Sequence, residues 1–72
     1  MANEDICIRF GKRIRKLREQ RGWTQSYMAA HSGIGRPHLS NLETGKKEAG
    51  LRVIETLADS FGMSMSQLLS RL

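Results

Sequence analysis

The sequence predicts an all-α fold built from five short helices. Apolar residues recur at spacings of three and four along most of the 72 residues, which is the period of an amphipathic helix. No run alternates apolar and polar residues with the period of two that marks a half-buried strand. Glycines and capping residues separate the helical stretches from one another. These observations together favour a small helical bundle with one core.

The first helix is expected over residues 5–20. Ile6, Phe10, Ile14 and Leu17 form one apolar stripe along it, and Gly22 follows where it should end. The remaining surface of this helix is largely basic. We therefore expect the stripe to face the core and the cations to face outward.

The second and third helices are expected over residues 25–32 and about 36–43, with a tight turn at Gly33 between them. Thr24 is the predicted N-cap of the second helix. Pro37 fits the first turn of the third helix but disfavours helical geometry at the residue before it. Arg36 is then a candidate N-cap in place of Gly35. Two helices joined in this way form a helix-turn-helix, whose second helix can enter the major groove of DNA.

The fourth helix should begin after Gly50 and end at Gly62. A fifth follows Ser64, which forms a capping-box pattern with Gln67. The bundle should bury one set of apolar side chains between its helices. The predicted core comprises Phe10, Ile14, Leu17, Met28, Ala29, Ile34, Leu39, Leu42, Leu51, Ile54, Leu57, Ala58, Phe61 and Leu68.

Composition narrows the class of protein. The single cysteine, Cys7, cannot form an internal disulfide, and no apolar run approaches the roughly 20 residues that span a membrane. The first ten residues carry acids where a signal peptide has bases. We expect residues 1–72 to form a single cytoplasmic domain without membrane contact.

Positive charge is concentrated near the N-terminus. The whole chain carries a net charge of +5, and residues 9–21 alone carry seven basic side chains against Glu19, a net charge of +6. Such a helix is either a solvated surface or a binding surface for a polyanion such as nucleic acid. Composition alone leaves both interpretations open.

The chain resembles the Cro and phage-repressor-like helix-turn-helix family, often called the XRE family. The likeness covers nearly the whole length without gaps. The matching residues are Ile14, Leu17, Arg18, Thr24, Gln25, Met28, Ala29, Ser32, Gly33, Ile34, Arg36, Leu39, Ser40, Asn41, Leu42, Glu43, Gly45, Leu51, Ile54, Leu57, Ala58 and Gly62.

The resemblance implies a five-helix, lambda-repressor-like DNA-binding fold in which the third helix is the recognition helix. It also implies a partly buried ion pair between Arg18 and Glu43, and a phosphate contact from Gln25. A chain of this size looks like a stand-alone regulator of the restriction–modification controller type. Gly35 departs from the Ser, Thr or Asp that the family usually has at that position.

Contacts with double-stranded DNA can be assigned from position and chemistry. Base edges should be read from the start of the third helix, where arginine can bind guanine and asparagine can bind adenine. The predicted base contacts are Arg36, Pro37, His38, Ser40 and Asn41. Cations and amides near either end of the motif should bind phosphates. The predicted phosphate contacts are Gln25, Lys46, Lys47, Arg13 and Lys16.

Two hypotheses about function follow. The first is a transcriptional regulator, a repressor or an activator, that binds an inverted repeat as a homodimer, with a contact to RNA polymerase left open. Its predicted dimer patch consists of Met63, Met65, Leu69 and Leu72. The alternative is an antitoxin-type module that neutralises a partner protein and binds DNA secondarily. Cys7, His31 and His38 lack the spacing of a metal site, so we expect no metal, no cofactor and no catalysis.

Overall fold

The computed structural model describes residues 4–72, and this part of the chain is all helical, as predicted. Its five helices are α1 (Ile6–Gln20), α2 (Gln25–Ser32), α3 (Arg36–Glu43), α4 (Leu51–Phe61) and α5 (Met65–Leu68). No helix within residues 4–72 is both long and apolar enough to cross a membrane. The fold is a bundle in which α3 packs mainly on α1 and α2.

Side-chain caps begin three of the helices. The Asp5 carboxylate accepts from the Cys7 N–H at 2.9 Å to begin α1, and the Thr24 hydroxyl accepts from the Tyr27 N–H at 3.0 Å to begin α2. Ser64 and Gln67 form the predicted capping box of α5. These caps satisfy N–H groups that have no partner inside the helix. The boundaries predicted for these helices are therefore confirmed to within a residue.

The predicted cap of α3 is corrected by the structure. Gly35, not Arg36, is the N-cap, and its carbonyl accepts from the Leu39 N–H at 2.9 Å. Arg36 is already helical, and Pro37 occupies the second helical position, where its missing N–H leaves no hydrogen bond unmade. Gly35 brings no side-chain hydrogen bond to this helix end.

The core agrees with the predicted set apart from its edge. Within residues 4–72, eleven apolar residues are buried, among them Ile14, Met28 and Leu57, each fully inaccessible to solvent. Ala29 and Ile54 are partly buried against this cluster. Leu51 is 77% exposed, so its assignment to the core is wrong. Leu51 lies on the same face of α4 as the buried Ala58, but it is the first residue of the helix and lies beyond the end of the core.

Gly11 allows α1 and α3 to approach closely. A Cβ atom at this buried position would lie 2.5 Å from the Glu43 carbonyl oxygen and 2.8 Å from its carbon, closer than any side chain tolerates. The neighbouring atoms are backbone and cannot rotate away. A residue without a side chain is therefore required here, and it sets the distance between the first helix and the end of α3.

Arg21 and Trp23 attach α4 to the first half of the chain. The Arg21 guanidinium donates to the carbonyl oxygens of Leu17 at 3.2 Å and Phe61 at 2.8 Å, so that it joins the ends of α1 and α4. The Trp23 ring stacks on Phe61 with a centroid distance of 5.9 Å. Tyr27 also lies against Trp23 at 5.3 Å. The loop before α2 is thereby held against the end of α4.

Candidate nucleic-acid interface

The outer surface of α3 carries all five predicted base contacts. Arg36, Pro37 and His38 are exposed, and Ser40 and Asn41 are partly exposed. The opposite side of the same helix is buried, with Leu39 at 0% and Leu42 at 1% exposure. The 3.6-residue period separates these two sides and leaves a polar ridge facing solvent. The structure therefore brings the predicted base-contacting residues together on one accessible surface.

Glu43 holds the end of α3 to α1. Its carboxylate accepts from Arg18 Nε at 2.7 Å and from Arg18 Nη2 at 3.0 Å, a bidentate pair. The two side chains are only 11% and 2% exposed. Arg18 Nη1 donates in addition to the Trp23 carbonyl at 2.7 Å. The hydrogen bond to Glu43 raises the pKa of Arg18, and the Glu43 charge adds to this effect against the opposing effect of burial.

Gln25 also contacts Glu43, which the sequence did not indicate. Its amide Nε2 donates to Glu43 Oε1 at 3.1 Å. One amide hydrogen is therefore used inside the protein, and the other has no acceptor among the described residues. Because Gln25 is the first residue of α2, the same carboxylate holds together the start of α2, the end of α3 and the last turn of α1. The relative position of the two helices of the motif is set by this buried network.

Lys46 and Lys47 lie in an exposed loop directly after α3. Gly45 begins the loop in the left-handed conformation with φ of 76°, and a Cβ there would meet Ile8 at 2.8 Å. The Lys46 N–H donates to the Asn41 carbonyl at 2.9 Å. The loop is thus held close to the ridge of α3, and both lysines are free of any ion pair among the described residues.

Arg13 and Lys16, which are predicted to contact phosphates, lie on a side of α1 that does not face α3. Gly11 faces α3, and Arg13 comes about 200° further around the helix axis. Its Nε and Nη2 donate to the Leu68 and Gln67 carbonyls at 3.1 and 2.9 Å, so it caps the end of α5. Lys16 lines the same side of α1 as Arg13. The count of charges along the sequence places these cations on α1, but it does not predict which side of the helix they occupy.

The predicted dimer patch is only partly exposed. Met63, Met65 and Leu72 are partly buried against the core, and Leu69 is 39% exposed. Leu69 and Leu72 line an apolar groove of about 390 Å³ that continues to Ile6, itself 48% exposed. The accessible apolar surface therefore extends further toward α1 than the four predicted residues do.

These features define a class of protein: a helix-turn-helix DNA-binding module, with an exposed polar helix held by a buried charge network behind a glycine turn. A family model described as helix-turn-helix matches residues 14–68 of the chain. The chain is similar to the control protein C.MunI of Mycoplasma sp., with 34% identity over 67 residues that cover 92% of this chain and 90% of that protein.

Two further comparisons agree. The chain is 38% identical over 58 residues to the competence pilus inhibition repressor of Acinetobacter baylyi, covering 81% of this chain and 53% of that protein, so it spans about half the length of that relative. The crystal structure of the restriction–modification controller protein C.AhdI from Aeromonas hydrophila superposes with a TM-score of 0.82 and 31% identity, covering 86% of this chain and 94% of that one. The chain belongs to the Cro and phage-repressor-like (XRE-type) helix-turn-helix family of DNA-binding transcription regulators, which is not a family of enzymes.

Proposed function

We propose that the chain is a sequence-specific transcriptional regulator that binds an inverted-repeat operator as a homodimer, with α3 in the major groove of each half-site. The observation that carries this proposal is the division of α3 into a buried apolar side and an exposed polar ridge. An α-helix of this kind fits the major groove, where every base pair presents a distinct pattern of donors and acceptors.

Base readout is assigned to the ridge. The Arg36 guanidinium can donate two hydrogen bonds to a guanine edge, and the Asn41 amide can pair with an adenine edge. Ser40 can donate to or accept from several bases, and the Pro37 ring offers an apolar contact for a thymine methyl group. His38 lies at the side of the ridge and completes the set. The side chains of these residues make no hydrogen bond within the described part of the chain, so they are available to DNA.

Phosphate contacts are assigned to both ends of the motif. At one end, the first N–H groups of α2 and the remaining amide hydrogen of Gln25 suit a phosphate oxygen, since a helix N-terminus carries partial positive charge. At the other end, Lys46 and Lys47 extend the positive surface along the phosphate backbone of the DNA. Glu43 would place negative charge close to DNA, but its pairing with Arg18 offsets that charge. This set positions the ridge without selecting a sequence.

Dimerisation is assigned to the surface around Leu69 and Leu72, together with Met63 and Met65. A two-fold axis there would present two copies of α3 to successive major grooves, about 34 Å apart. Bound over a promoter, such a dimer would exclude RNA polymerase and repress transcription. The likeness to controller proteins of restriction–modification systems over most of both chains supports a stand-alone regulator of that type.

The test is selection of bound duplexes from a random DNA library with purified protein. The proposal expects an enriched inverted repeat with half-sites one helical turn apart, and a dimer mass in solution. The variant Arg36→Ala should bind the selected duplex with reduced base preference at one position of each half-site. If no sequence is enriched, the proposed operator is refuted. If a monomer enriches single half-sites, the proposed dimer is refuted.

A further inference from the structure

The side of α1 that faces away from α3 forms a basic groove with the end of the chain. Five cationic side chains line it, and its volume is about 660 Å³. These cations are Arg9, Lys12, Arg13, Lys16 and Arg71. This groove lies outside the operator-binding surface, because α3 packs on the opposite side of α1.

Most of the positive charge in the groove is uncompensated. Lys12 is the exception, since its Nζ pairs with the Glu4 carboxylate at 2.7 Å. Arg9 Nε donates to the Glu4 carbonyl at 2.9 Å, and Arg13 donates to the carbonyls of α5. Carbonyl oxygens accept hydrogen bonds but carry no net charge. Within residues 4–72, no carboxylate forms a salt bridge with Arg9, Arg13, Lys16 or Arg71.

Arg9 and Arg13, the two arginines of α1 that line the groove, are also held in place before any ligand arrives. Because Arg9 and Arg13 are tied to carbonyls, they lose less conformational freedom on binding than free side chains would. Both Nη atoms of Arg9 and the Nη1 atom of Arg13 have no acceptor among the described residues. The guanidinium group suits the paired oxygens of a phosphate. The groove therefore presents ordered donors toward an anion.

The operator held by α3 does not account for this charge. The molecule measures 37 × 24 × 23 Å, and α1 separates the groove from α3. A straight duplex in contact with the ridge of α3 cannot also reach the far side of α1. We propose that the groove binds the phosphate backbone of a second DNA segment, so that one protein molecule bridges two duplexes.

The lining favours nucleic acid over an acidic protein. Protein partners depend on buried aromatic or aliphatic anchors, and Leu72 is the only apolar side chain lining this groove within the described residues. Arg9 to Lys16 span about 10 Å of helix, while a DNA duplex carries one charge per about 1.7 Å of its axis. Several phosphates therefore face the row of cations at once. The protein groove has no projecting helix that could enter a groove of the DNA and contact base edges. This contact is therefore independent of DNA sequence.

The experiment measures bridging directly and rests on the proposed operator binding. Biotinylated operator duplex on beads is saturated with the full chain, and retention of a fluorescent duplex lacking the operator is measured at 0.1 M salt. The variant Lys16→Gln/Arg71→Gln removes two groove cations that make no hydrogen bond within the described residues. Relative to the amount of operator bound, we expect it to retain the second duplex at least about tenfold less well than wild type.

The control is Arg15→Gln/Arg52→Gln, which removes the same charge from exposed positions outside the groove, on α1 and α4. Its retention of the second duplex, relative to the operator bound, should match wild type. Equal loss in both double variants would overturn the groove assignment, as would failure of wild type to retain the second duplex while it binds operator normally. Retention of fluorescent polyglutamate in preference to the duplex would assign the groove to an acidic protein instead. Failure of operator binding itself would instead refute the proposed function.

Discussion

The two sides of α1 use arginine in opposite ways. On the side facing α3, Arg18 is buried and bound to the Glu43 carboxylate, so that its charge holds the end of α3 against α1. On the far side, Arg13 is bound only to backbone carbonyls, so that its charge remains for an external ligand. The difference shows that the partner of a basic side chain, more than its identity, decides whether it supports the fold or binds a polyanion.

The largest expected effect is on the buried side. Glu43→Gln leaves the Arg18 guanidinium buried without its countercharge, and loss of one partner of a buried pair costs roughly 3–5 kcal/mol. For a domain of this size we expect the melting temperature to fall by roughly 12 °C or more. Thermal unfolding followed by circular dichroism measures the change.

The matched control is Glu19→Gln, which makes the same substitution in the exposed i, i+4 pair with Arg15. It should change the free energy of unfolding by no more than about 0.5 kcal/mol. If Glu43→Gln melts at the wild-type temperature, the buried pair has no structural role, and the two sides of α1 do not differ as described.

The next largest effect on stability is expected at Gly11, where α1 and α3 approach closely. Alanine in place of glycine normally stabilises a helix interior, by about 1 kcal/mol. Gly11→Ala should instead destabilise by about 1–3 kcal/mol, because its Cβ would overlap the Glu43 backbone. Urea unfolding measures it against Gly50→Ala, where no atom lies within 4 Å of the added Cβ. A stabilised Gly11→Ala protein would mean that the helices separate at little cost.

On DNA, Arg36→Ala should lose discrimination at one base pair of each half-site by about 1–3 kcal/mol. Affinities for a panel of single-base operator variants give this value. A uniform loss across the panel would remove Arg36 from base readout and assign it to a phosphate.

A smaller effect is expected from the charges beside α3. Lys47→Ala should weaken binding to every sequence alike and reduce the slope of log affinity against log salt by about 0.9. Titrations at several salt concentrations provide the measurement, with Arg52→Ala as an exposed cation for comparison. An unchanged slope would show that Lys47 remains solvated in the complex.

A substitution on the far side of α1 should cost less stability than the loss of Glu43. Arg13→Gln removes hydrogen bonds to two neutral carbonyls at a partly exposed position, and we expect a loss of about 1 kcal/mol. The free energy of unfolding in urea, compared with that of Glu43→Gln, checks it. A loss as large as that of Glu43→Gln would make the two sides of α1 equivalent in stability.

Local sequence predicted what depends on neighbours in the chain. Thr24 and Ser64 were identified as caps because their partners lie three residues away, and the stripe through Ile14 and Leu17 followed from helical period. Leu51 has the correct period but the wrong environment, since periodicity assigns a side of a helix and not the extent of the core. The end of the core is a property of how helices are arranged in space.

The candidate site shows the same division. The ridge of α3 could be predicted because a single amphipathic helix defines it. Gly11 could not, because its role depends on the distance to a helix about thirty residues further along the chain. The charge of Arg13 predicts a phosphate contact but not its two carbonyl acceptors, which come from the opposite end of the sequence. Long-range partners of this kind leave no local signal.

The isolation of the ridge side chains has a consequence for how such a regulator can change. Arg36, His38, Ser40 and Asn41 donate no side-chain hydrogen bond to the described scaffold, whereas Glu43 and Arg18 carry the attachment of α3. The outward positions can therefore be exchanged, singly or as a set, while the body folds as before. The same scaffold could be retargeted to new operators by altering a handful of codons, and gene copies could diverge in the promoters they control without first losing stability.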